Sequence, residues 1–229
     1  MIVREPERVR AMFGRIAARY DNANTVLSFG RDAAWRRAAA MATGLGPGQT
    51  ALDIACGTGR LAIELSKLVG PEGHITGVDF NREMLRVAAR QSRGIAWIDA
   101  DALSLPFADQ TFDATTMAFG LRNLADPGAG AVEMARVVRA GGHLVVLEFV
   151  RPPRRLAGAA YTFYLRNVLP IVGGWITGDR ASYHYLSETI DAFLTPHQLV
   201  DLCRGAGWSK VSVTSLNLGM VALLAGVRA

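Results

Sequence analysis

The sequence predicts an α/β protein with a doubly wound, mostly parallel sheet of seven strands that closes with an antiparallel C-terminal hairpin. Three observations support this fold class. Short apolar segments alternate with helical segments between residues 50 and 149, an order that is typical of a parallel sheet covered by helices on both faces. A glycine-rich turn follows the first of these segments. The last two apolar segments are only a few residues apart, so they can pair only in antiparallel fashion.

Length and composition fit one globular domain that spans residues 1–229. Half of the chain is hydrophobic and 20% is charged, so a core of ordinary size can form without disulfides or a structural metal. Cys56 and Cys203 are far apart and form no CxxC pair, and the sequence offers no cluster with metal-ligand spacing. The net charge of +5 comes from scattered arginines without interleaved aromatic residues, and we therefore expect no nucleic-acid partner.

Residues 1–45 are predicted to form an N-terminal helical flap. Apolar residues recur at helical spacing near the start of the chain, namely Val9, Met12, Phe13 and Ile16. A loop is expected around residues 20–24, and a second helix over about residues 32–41. The first residues are charged and lack the apolar stretch of a signal peptide, which favours a cytoplasmic protein.

A regular alternation of strands and helices follows a break at residues 44–48, which contain three glycines and a proline. We expect strands at residues 50–55, 74–78, 95–98, 112–119 and 144–149, and helices at residues 61–68, 82–91 and 130–138. Residues 209–215 and 219–227 are expected to form the C-terminal hairpin. Sheets of this type bind ligands at the carboxyl ends of their strands, so functional residues should follow the strands directly.

Residues 151–195 break this rhythm and are predicted to form a helical lid over the substrate. An apolar and aromatic segment at residues 156–176 follows three arginines, Arg151, Arg154 and Arg155. We expect no membrane-spanning helix there, because Arg166, Pro170 and three glycines interrupt the apolar run. The segment can serve as an apolar lid against an anionic membrane surface, as an ordinary buried helix, or as the contact of a homodimer.

The glycine-rich turn at Gly57, Thr58 and Gly59 indicates a nucleotide-like ligand. The two glycines allow the backbone to approach a ligand closely, and the helix that follows presents free N–H groups. Together with Ala62 they also satisfy the dinucleotide pattern G-x-G-x-x-G/A, with Asp79 about twenty residues further on. The turn alone therefore leaves NAD, another nucleoside and a turn without a ligand as alternatives.

Acidic residues at three successive strand ends favour a cationic sulfur nucleoside over NAD. Asp53 lies inside the end of the first strand, where it would repel a pyrophosphate but stabilise an ammonium or sulfonium group. Asp79, followed by Phe80, ends the second strand and can accept both ribose hydroxyls. Asp101 and Ala102 follow the third strand, where the carboxylate can accept a hydrogen bond from an adenine amino group. These residues predict a binding site for S-adenosyl-L-methionine.

The same segments resemble the motifs of class I S-adenosylmethionine-dependent methyltransferases. Residues 53–59 are similar to the first motif of that class, and residues 77–79 to the second. Residues 99–107 and 111–113 resemble the stretch that spans the third strand and the start of the fourth. Residues 136–144 resemble the turn before the fifth strand. The resemblance implies a Rossmann-like methyltransferase fold.

A second set of motifs is spread over nearly the whole chain and includes residues 17–21, 27–30, 119–123, 183–190 and 219–222. In these segments the sequence resembles the C-methyltransferases of menaquinone and ubiquinone biosynthesis. The string Phe-Gly-Leu-Arg-Asn at 119–123 is specific, because other methyltransferases vary freely there. Cys56 stands where the family commonly has glycine, and Ala118 stands where serine or threonine would bond to the cofactor. The resemblance implies C-methylation of a prenylated quinol, converting demethylmenaquinol to menaquinol, with peripheral contact at the inner face of the membrane.

The resemblance also implies which residues act in catalysis. Arg122 would stabilise the phenolate form of the substrate, through an ordered water that takes the proton, and Asn123 would orient the ring oxygen. Tyr20 of the flap would close over the cofactor near the transferred methyl group. A structural salt bridge for Arg122 and core packing for Tyr20 are the alternatives. Candidates for the substrate side are Tyr183, His184 and Tyr185.

Three other functions remain open from the sequence. A methyltransferase of this class can act on another phenolic or natural-product substrate. The glycine-rich turn also fits an NAD-dependent oxidoreductase. A methyltransferase-like protein without activity, which only binds a partner, is the third alternative.

Overall fold

The computed structural model describes residues 5–151 and 161–229. Its strands are β1 (Thr50–Ile54), β2 (His74–Asp79), β3 (Ala96–Asp99), β4 (Phe112–Ala118), β5 (Val138–Phe149), β6 (Trp208–Leu216) and β7 (Val221–Arg228). Its helices are α1 (Pro6–Ile16), α2 (Tyr20–Leu27), α3 (Arg31–Ala42), α4 (Arg60–Val69), α5 (Arg82–Gln91), α6 (Pro127–Val137), α7 (Leu169–Thr177), α8 (Arg180–Asp191) and α9 (Pro196–Gly205). A π-helical turn, Tyr164–Val168, precedes α7, and a short 3-10 helix, Leu121–Asn123, follows β4.

The strands form a seven-stranded sheet in the order β3-β2-β1-β4-β5-β7-β6. Neighbouring strands from β3 to β5 pair in parallel, whereas β7 is antiparallel to both β5 and β6. The predicted fold class is therefore confirmed, including the antiparallel C-terminal pair. Within the described residues, no helix is both long enough and apolar enough to cross a membrane.

Alternating side chains of the central strands pack against helices on opposite faces of the sheet, as the pleat of a strand requires. On one face, Leu52 and Val146 belong to a core that α6, α9 and the C-terminal strands complete. On the other face, Ala51 and Val145 pack with α3 and α4. A third, smaller cluster lies against the end of β5 and includes Ala23 of α2 together with residues of α7 and α8.

The loop predicted around residues 20–24 is wrong, because this segment forms the first turns of α2. Asp21, Asn22 and Asn24 favour turns by intrinsic propensity, but tertiary contacts override that preference here. Ala23 is completely buried, and Asp21 accepts hydrogen bonds from the Thr58 hydroxyl at 2.7 Å and the Gln91 amide at 2.8 Å. These contacts hold the helix against the glycine-rich turn and α5.

The fifth strand begins earlier than predicted. We expected a helix to residue 138, a stop at the paired glycines and a strand from residue 144, but β5 already starts at Val138. A register shift against β4 accommodates the glycines. A Cβ atom at Gly142 would lie 2.6 Å from the carbonyl oxygen of Asp113, so glycine allows the two strands to remain paired across the irregularity.

The predicted lid contains helix in its described part, from residue 161 to the end of α8. Its arginines Arg154 and Arg155, and the start of its apolar segment, lie outside the described residues. Gly173 allows α7 to contact α8 closely, because a Cβ atom there would lie 2.5 Å from the ring of Tyr183. The described part of the lid packs on α2 of the N-terminal flap.

Candidate active site

The carboxyl ends of β1 and β4 lie side by side at the topological switch point of the sheet. The chain places β2 and β3 on one side of β1, and β4 and β5 on the other. Strand β1 pairs with β2 on one side and with β4 on the other. Ligands of doubly wound sheets bind in the crevice at such a point. The residues that follow the two strands, Ala55 and Phe119, have positive φ angles of 51° and 60°. This conformation is strained for a bulky side chain, which marks the crevice as a candidate functional site.

A narrow cleft of about 100 Å³ occupies this crevice. The ends of the strands form one side of the cleft, and α1 of the flap forms part of the other. Six of the predicted cofactor-binding residues line it, namely Gly57, Asp79, Phe80, Asp101, Ala102 and Ala118. The side chains that α1 and the following residues contribute are Pro6, Val9, Phe13 and Tyr20.

Asp79 braces the glycine-rich turn and retains hydrogen-bonding capacity toward the cleft. Its Oδ2 accepts from the Gly57 N–H and its Oδ1 from the Asn81 N–H, both at 2.8 Å. An ionised carboxylate has about four acceptor positions, so about two remain for a ligand. Burial raises the pKa of Asp79 to about 6, although the two backbone hydrogen bonds oppose this shift.

Asp101 lies at the exposed edge of the same cleft. Its Oδ1 accepts a hydrogen bond from the Leu103 N–H at 2.9 Å, which fixes the side chain beside the apolar wall. Ala102 and Leu103 belong to that wall, together with Met84 of α5. A carboxylate next to a flat apolar surface suits an aromatic base with an exocyclic amino group.

Asp53 does not line the cleft within the described part of the chain, and its expected direct contact with a cationic ligand stays a prediction. Its carboxylate is completely enclosed. Oδ2 accepts from the Ala62 N–H of α4 at 3.1 Å, and Oδ1 accepts from the Thr116 hydroxyl of β4 at 2.7 Å. Burial raises its pKa to about 7, against the hydrogen bond from Thr116 and the charge of Arg36. Asp53 therefore joins β1, β4 and α4 behind the cleft.

Thr58 and Gly59 also lie behind the cleft wall rather than in it, among the residues that the structure describes. The Thr58 hydroxyl donates to Asp21 of α2 at 2.7 Å, so it connects the turn to the flap. Gly59 is needed for packing, because a Cβ atom there would lie 2.3 Å from the Trp97 ring and its φ angle is +82°. Both residues act on the cleft through the turn that they stabilise.

The strained turn at Phe119 is held by a buried ion pair. Nη1 of Arg122 donates to the carbonyl oxygen of Phe119 at 2.8 Å and to Oε1 of Glu148 at 2.5 Å. Glu148 also accepts from the backbone N–H groups of Arg122 and Phe149, at 3.2 and 2.9 Å. Both side chains are at most 4% exposed. The structural salt bridge considered for Arg122 is therefore present, and Arg122 also lines a second, larger cavity.

This second cavity has a volume of about 460 Å³ and lies between the flap and the lid. Its wall is mostly apolar and aromatic, as expected for a site that takes a lipid-like molecule. Residues of α2 and α3, the end of β5, the lid helices and the segment after β6 contribute to it, among them Leu27, Trp35, Phe149, Leu165, Leu169, Leu186, Ile190 and Met220. Tyr183 and Tyr185 line it as well.

Three aromatic side chains, Phe13, Tyr20 and Phe119, line both the cleft and the cavity. The rings of Phe13 and Tyr20 meet edge to face, with centroids 5.9 Å apart. Asn123 lies on the cleft side of this boundary, where its amide donates to the Phe119 carbonyl oxygen at 3.3 Å and its oxygen accepts from the Tyr185 hydroxyl at 3.4 Å. The predicted catalytic residues therefore surround the place where the two spaces meet.

The structure does not place His184 in either space, and its role on the substrate side stays a prediction. His184 is exposed and belongs to the wall of neither space in the described chain. Successive side chains of an α-helix point about 100° apart. Tyr183 of α8 is buried in the cavity wall, so the neighbouring histidine projects toward solvent.

Several residues that line the apolar cavity carry buried polar atoms that have no partner in the described chain. Nε of Arg36, Nε of Arg122 and the hydroxyl of Tyr161 make no hydrogen bond within residues 5–151 and 161–229. Buried polar groups are normally hydrogen-bonded. Their concentration in one cavity indicates a ligand with polar groups on an otherwise apolar body.

Two important residues, Glu148 and Tyr161, received no role from the sequence. Glu148 could have been found, because an acidic residue inside an apolar strand must have a buried partner. No comparable signal marks Tyr161, which is one of two tyrosines in the apolar segment at residues 156–176. Its importance depends on which side chains the fold brings around it.

Comparisons with known proteins agree with this geometry. The family model described as the ubiE/COQ5 methyltransferase family matches residues 1–228. Curated relatives named demethylmenaquinone methyltransferase include one from Mycolicibacterium paratuberculosis, 44% identical over 98% of this chain and 96% of that protein. Another, from Thermus thermophilus, is 44% identical over 95% of this chain and 100% of that protein. A solved S-adenosylmethionine-dependent methyltransferase from Thermotoga maritima, a possible histamine N-methyltransferase, is 20% identical, with a TM-score of 0.68 over 96% of this chain and 99% of its own.

Proposed function

Because this chain belongs to the ubiE/COQ5 methyltransferase family, we propose that it transfers a methyl group from S-adenosylmethionine to a ring carbon of demethylmenaquinol, which yields menaquinol. The names of its relatives support this substrate. The observation that carries the proposal is the contact between the strand-end cleft and the larger apolar cavity at Phe13, Tyr20 and Phe119. A methyl donor and a lipid-like acceptor must meet at one point for in-line transfer.

The polar groups that line the cleft suit S-adenosylmethionine. Asp79 has acceptor positions for the ribose hydroxyls, and Asp101 can accept from the adenine amino group beside the wall at Ala102. The backbone at Gly57 leaves room for a close approach, since a Cβ atom there would meet nothing within 4 Å. When bound, S-adenosylmethionine supplies an electrophilic methyl carbon on a positively charged sulfur.

The larger cavity fits a quinol with an isoprenoid tail. Its polar atoms, from Arg36, Arg122 and Tyr161, can bind the ring oxygens, and its apolar wall can contact the ring and tail. The quinol carbon becomes nucleophilic when the neighbouring hydroxyl loses its proton. Arg122 would stabilise the resulting phenolate as a hydrogen-bond donor, while Glu148 holds the guanidinium in place. Asn123 and Tyr20 would orient the ring at the boundary with the cleft.

One mouth of the cavity suits the exit of the tail. Phe29, 82% exposed, and Leu218, 76% exposed, belong to the cavity wall on loops from opposite ends of the chain. Both have positive φ angles, 54° and 59°. Arg31 and Asn217 connect the two loops through a hydrogen bond of 2.5 Å. These exposed apolar side chains, held in strained backbone conformations at the mouth of the cavity, can contact an isoprenoid tail that extends out of the protein.

The other functions considered from the sequence have less support. Binding of NAD is not favoured, because the relatives are methyltransferases. Methylation of a smaller phenol would leave much of the 460 Å³ cavity without contacts. A protein without activity is not favoured, because the relatives are named as enzymes.

Activity on a defined substrate tests the proposal. The protein should convert reduced demethylmenaquinone to menaquinol with methyl-labelled S-adenosylmethionine, as measured by mass spectrometry, and should bind S-adenosylhomocysteine but not NADH in calorimetry. A reaction with the oxidised quinone serves as the control, because its ring carbon is not nucleophilic. Tight NADH binding without a response to S-adenosylhomocysteine would reject the assignment.

We further propose that the protein acts at the cytoplasmic face of the membrane, in contact with the lipid through its lid. Phe163, Ile171 and Trp175 are 64%, 57% and 89% exposed. Ile171 and Trp175 lie four residues apart on α7, so they share one side of that helix, and Phe163 lies just before the π-helical turn that precedes it. Aromatic and aliphatic side chains on one side of a helix can enter the interface of a bilayer, which is also where a prenylated quinol resides.

Vesicle flotation tests this contact. Binding to vesicles that contain anionic lipid should be lost in a variant with Trp175→Ser and Ile171→Ser, and retained in the matched variant Met41→Ser, whose residue is 73% exposed on α3. Light scattering of the free protein distinguishes the alternative. The wild type could fail to bind vesicles and form a dimer that the same double substitution disrupts. That result would assign the surface to the predicted homodimer instead.

A further inference from the structure

The rings of Tyr161 and Tyr164 stack on each other, but their two hydroxyl groups have different environments. Their ring centroids are 6.4 Å apart, at an interplanar angle of 14°. The Tyr164 hydroxyl donates to the carbonyl oxygen of Leu27 at 2.8 Å. The Tyr161 hydroxyl is buried in the wall of the large cavity and has no partner within the described chain. The pair therefore contains one structural hydroxyl and one that the fold leaves unused.

A buried hydroxyl without a partner is unfavourable for the free protein, because it has lost its hydrogen bonds to water. Tyr161 is only 8% exposed, and phenylalanine would fill the same space without this penalty. The hydroxyl can be satisfied by a group that enters the cavity. The guanidinium of Arg122, whose Nε is also buried without a partner, lies near enough for its charge to affect Tyr161.

We propose that the Tyr161 hydroxyl binds the quinol head group by donating a hydrogen bond to a ring oxygen, next to the donor group of Arg122. The inference rests on the proposed function and adds a substrate-binding residue that the sequence did not indicate. A hydroxyl donor that points at an oxygen distinguishes a quinol from an apolar ring of the same shape.

The environment of Tyr161 favours a donor over a base. Burial raises the pKa of this hydroxyl far above its ordinary value, and the nearby charge of Arg122 opposes the shift only in part. The ionisable groups that act on it are Arg122, Tyr164 and Asp191. The hydroxyl therefore remains protonated at neutral pH and can donate to an oxygen that gains negative charge during the reaction.

The test compares Tyr161→Phe with the matched substitution Tyr164→Phe. Loss of one hydrogen bond to a partly charged oxygen should raise KM for reduced demethylmenaquinone about tenfold in Tyr161→Phe. The apparent Kd for S-adenosylhomocysteine should stay unchanged, and the melting temperature of the free protein should stay the same or rise. Tyr164→Phe should instead lower the melting temperature, because it removes the bond to Leu27, and should change KM less.

A readout without turnover uses the head group alone. Calorimetry with 1,4-naphthalenediol, kept reduced under anaerobic conditions, should show weaker binding to Tyr161→Phe than to Tyr164→Phe. The inference would be overturned if Tyr161→Phe kept the wild-type KM for reduced demethylmenaquinone and the wild-type affinity for 1,4-naphthalenediol. It would also be overturned if this variant had a lower melting temperature and lost S-adenosylhomocysteine binding to the same degree as quinol binding. Failure of the wild type itself to methylate reduced demethylmenaquinone would overturn the proposed function first, and the inference with it.

Discussion

The guanidinium of Arg122 and the carboxylate of Glu148 form an ion pair with Nη1 and Oε1 2.5 Å apart, and both side chains are almost completely buried. The same guanidinium nitrogen also donates to the carbonyl oxygen of Phe119. The pair therefore connects the end of β5 to the strained turn after β4. Removal of either partner leaves an uncompensated charge in the core.

Substitution of Glu148 by glutamine should strongly destabilise the protein. The amide cannot neutralise Arg122, so we expect the free energy of unfolding to fall by about 3–5 kcal/mol, as measured by urea denaturation. The matched control is Arg166→Ala, which removes the ion pair of Arg166 with Asp191 at the surface and should cost below about 1 kcal/mol. Equal effects of the two substitutions would contradict the role assigned to the buried pair.

The fold and part of the site could be predicted from the sequence, and the limits have physical causes. Apolar periodicity and turn residues indicated the strands, because these features act locally. The same reasoning failed for α2, where burial of Ala23 and the contacts of Asp21 outweigh local preference. It also could not assign an orientation to a side chain. Asp53 and His184 were therefore expected in the site together with Asp79 and Asp101, but in the described chain they line neither space.

The affinity for S-adenosylmethionine should decrease as the pH falls through about 6. Burial raises the pKa of Asp79 to about 6, and only the ionised carboxylate can accept additional hydroxyl groups while it holds Gly57 and Asn81. Binding should therefore release protons near pH 6, which calorimetry in buffers of different ionisation enthalpy detects. Asp79→Asn should weaken binding about tenfold or more at pH 8 and remove this pH dependence. An identical pH profile in the variant would exclude Asp79 as the titrating group.

Asp53 should make the protein less stable as the pH rises toward neutrality. Its pKa is raised from 3.8 to about 7 in the folded state, mainly by burial. The folded protein then binds a proton more tightly than the unfolded chain, so the contribution to stability is complete below about pH 4 and is lost as the pH rises to about 7. Asp53→Asn should flatten the pH dependence of the free energy of unfolding over that window. A slope identical to that of the wild type would show that Asp53 is already ionised in the fold.

Substitutions at the mouth of the large cavity should separate substrates by tail length. In a variant with Phe29→Ser and Leu218→Ser, contact with the tail is lost while the polar groups deep in the cavity stay in place. Loss of one such apolar contact is worth about 1.5 kcal/mol, so kcat/KM for a long-tailed quinol should fall about tenfold or more. The value for a tailless quinol should not change.

Val132→Ser provides the matched control for this experiment, because Val132 is 54% exposed on α6 and lines neither the cleft nor the cavity in the described chain. It removes an exposed apolar side chain without altering the mouth. Both kcat/KM values should therefore equal those of the wild type. If the variant at the mouth instead reduced turnover of long-tailed and tailless quinols by the same factor, Phe29 and Leu218 would be supporting the shape of the cavity, and the tail would have to leave by another route.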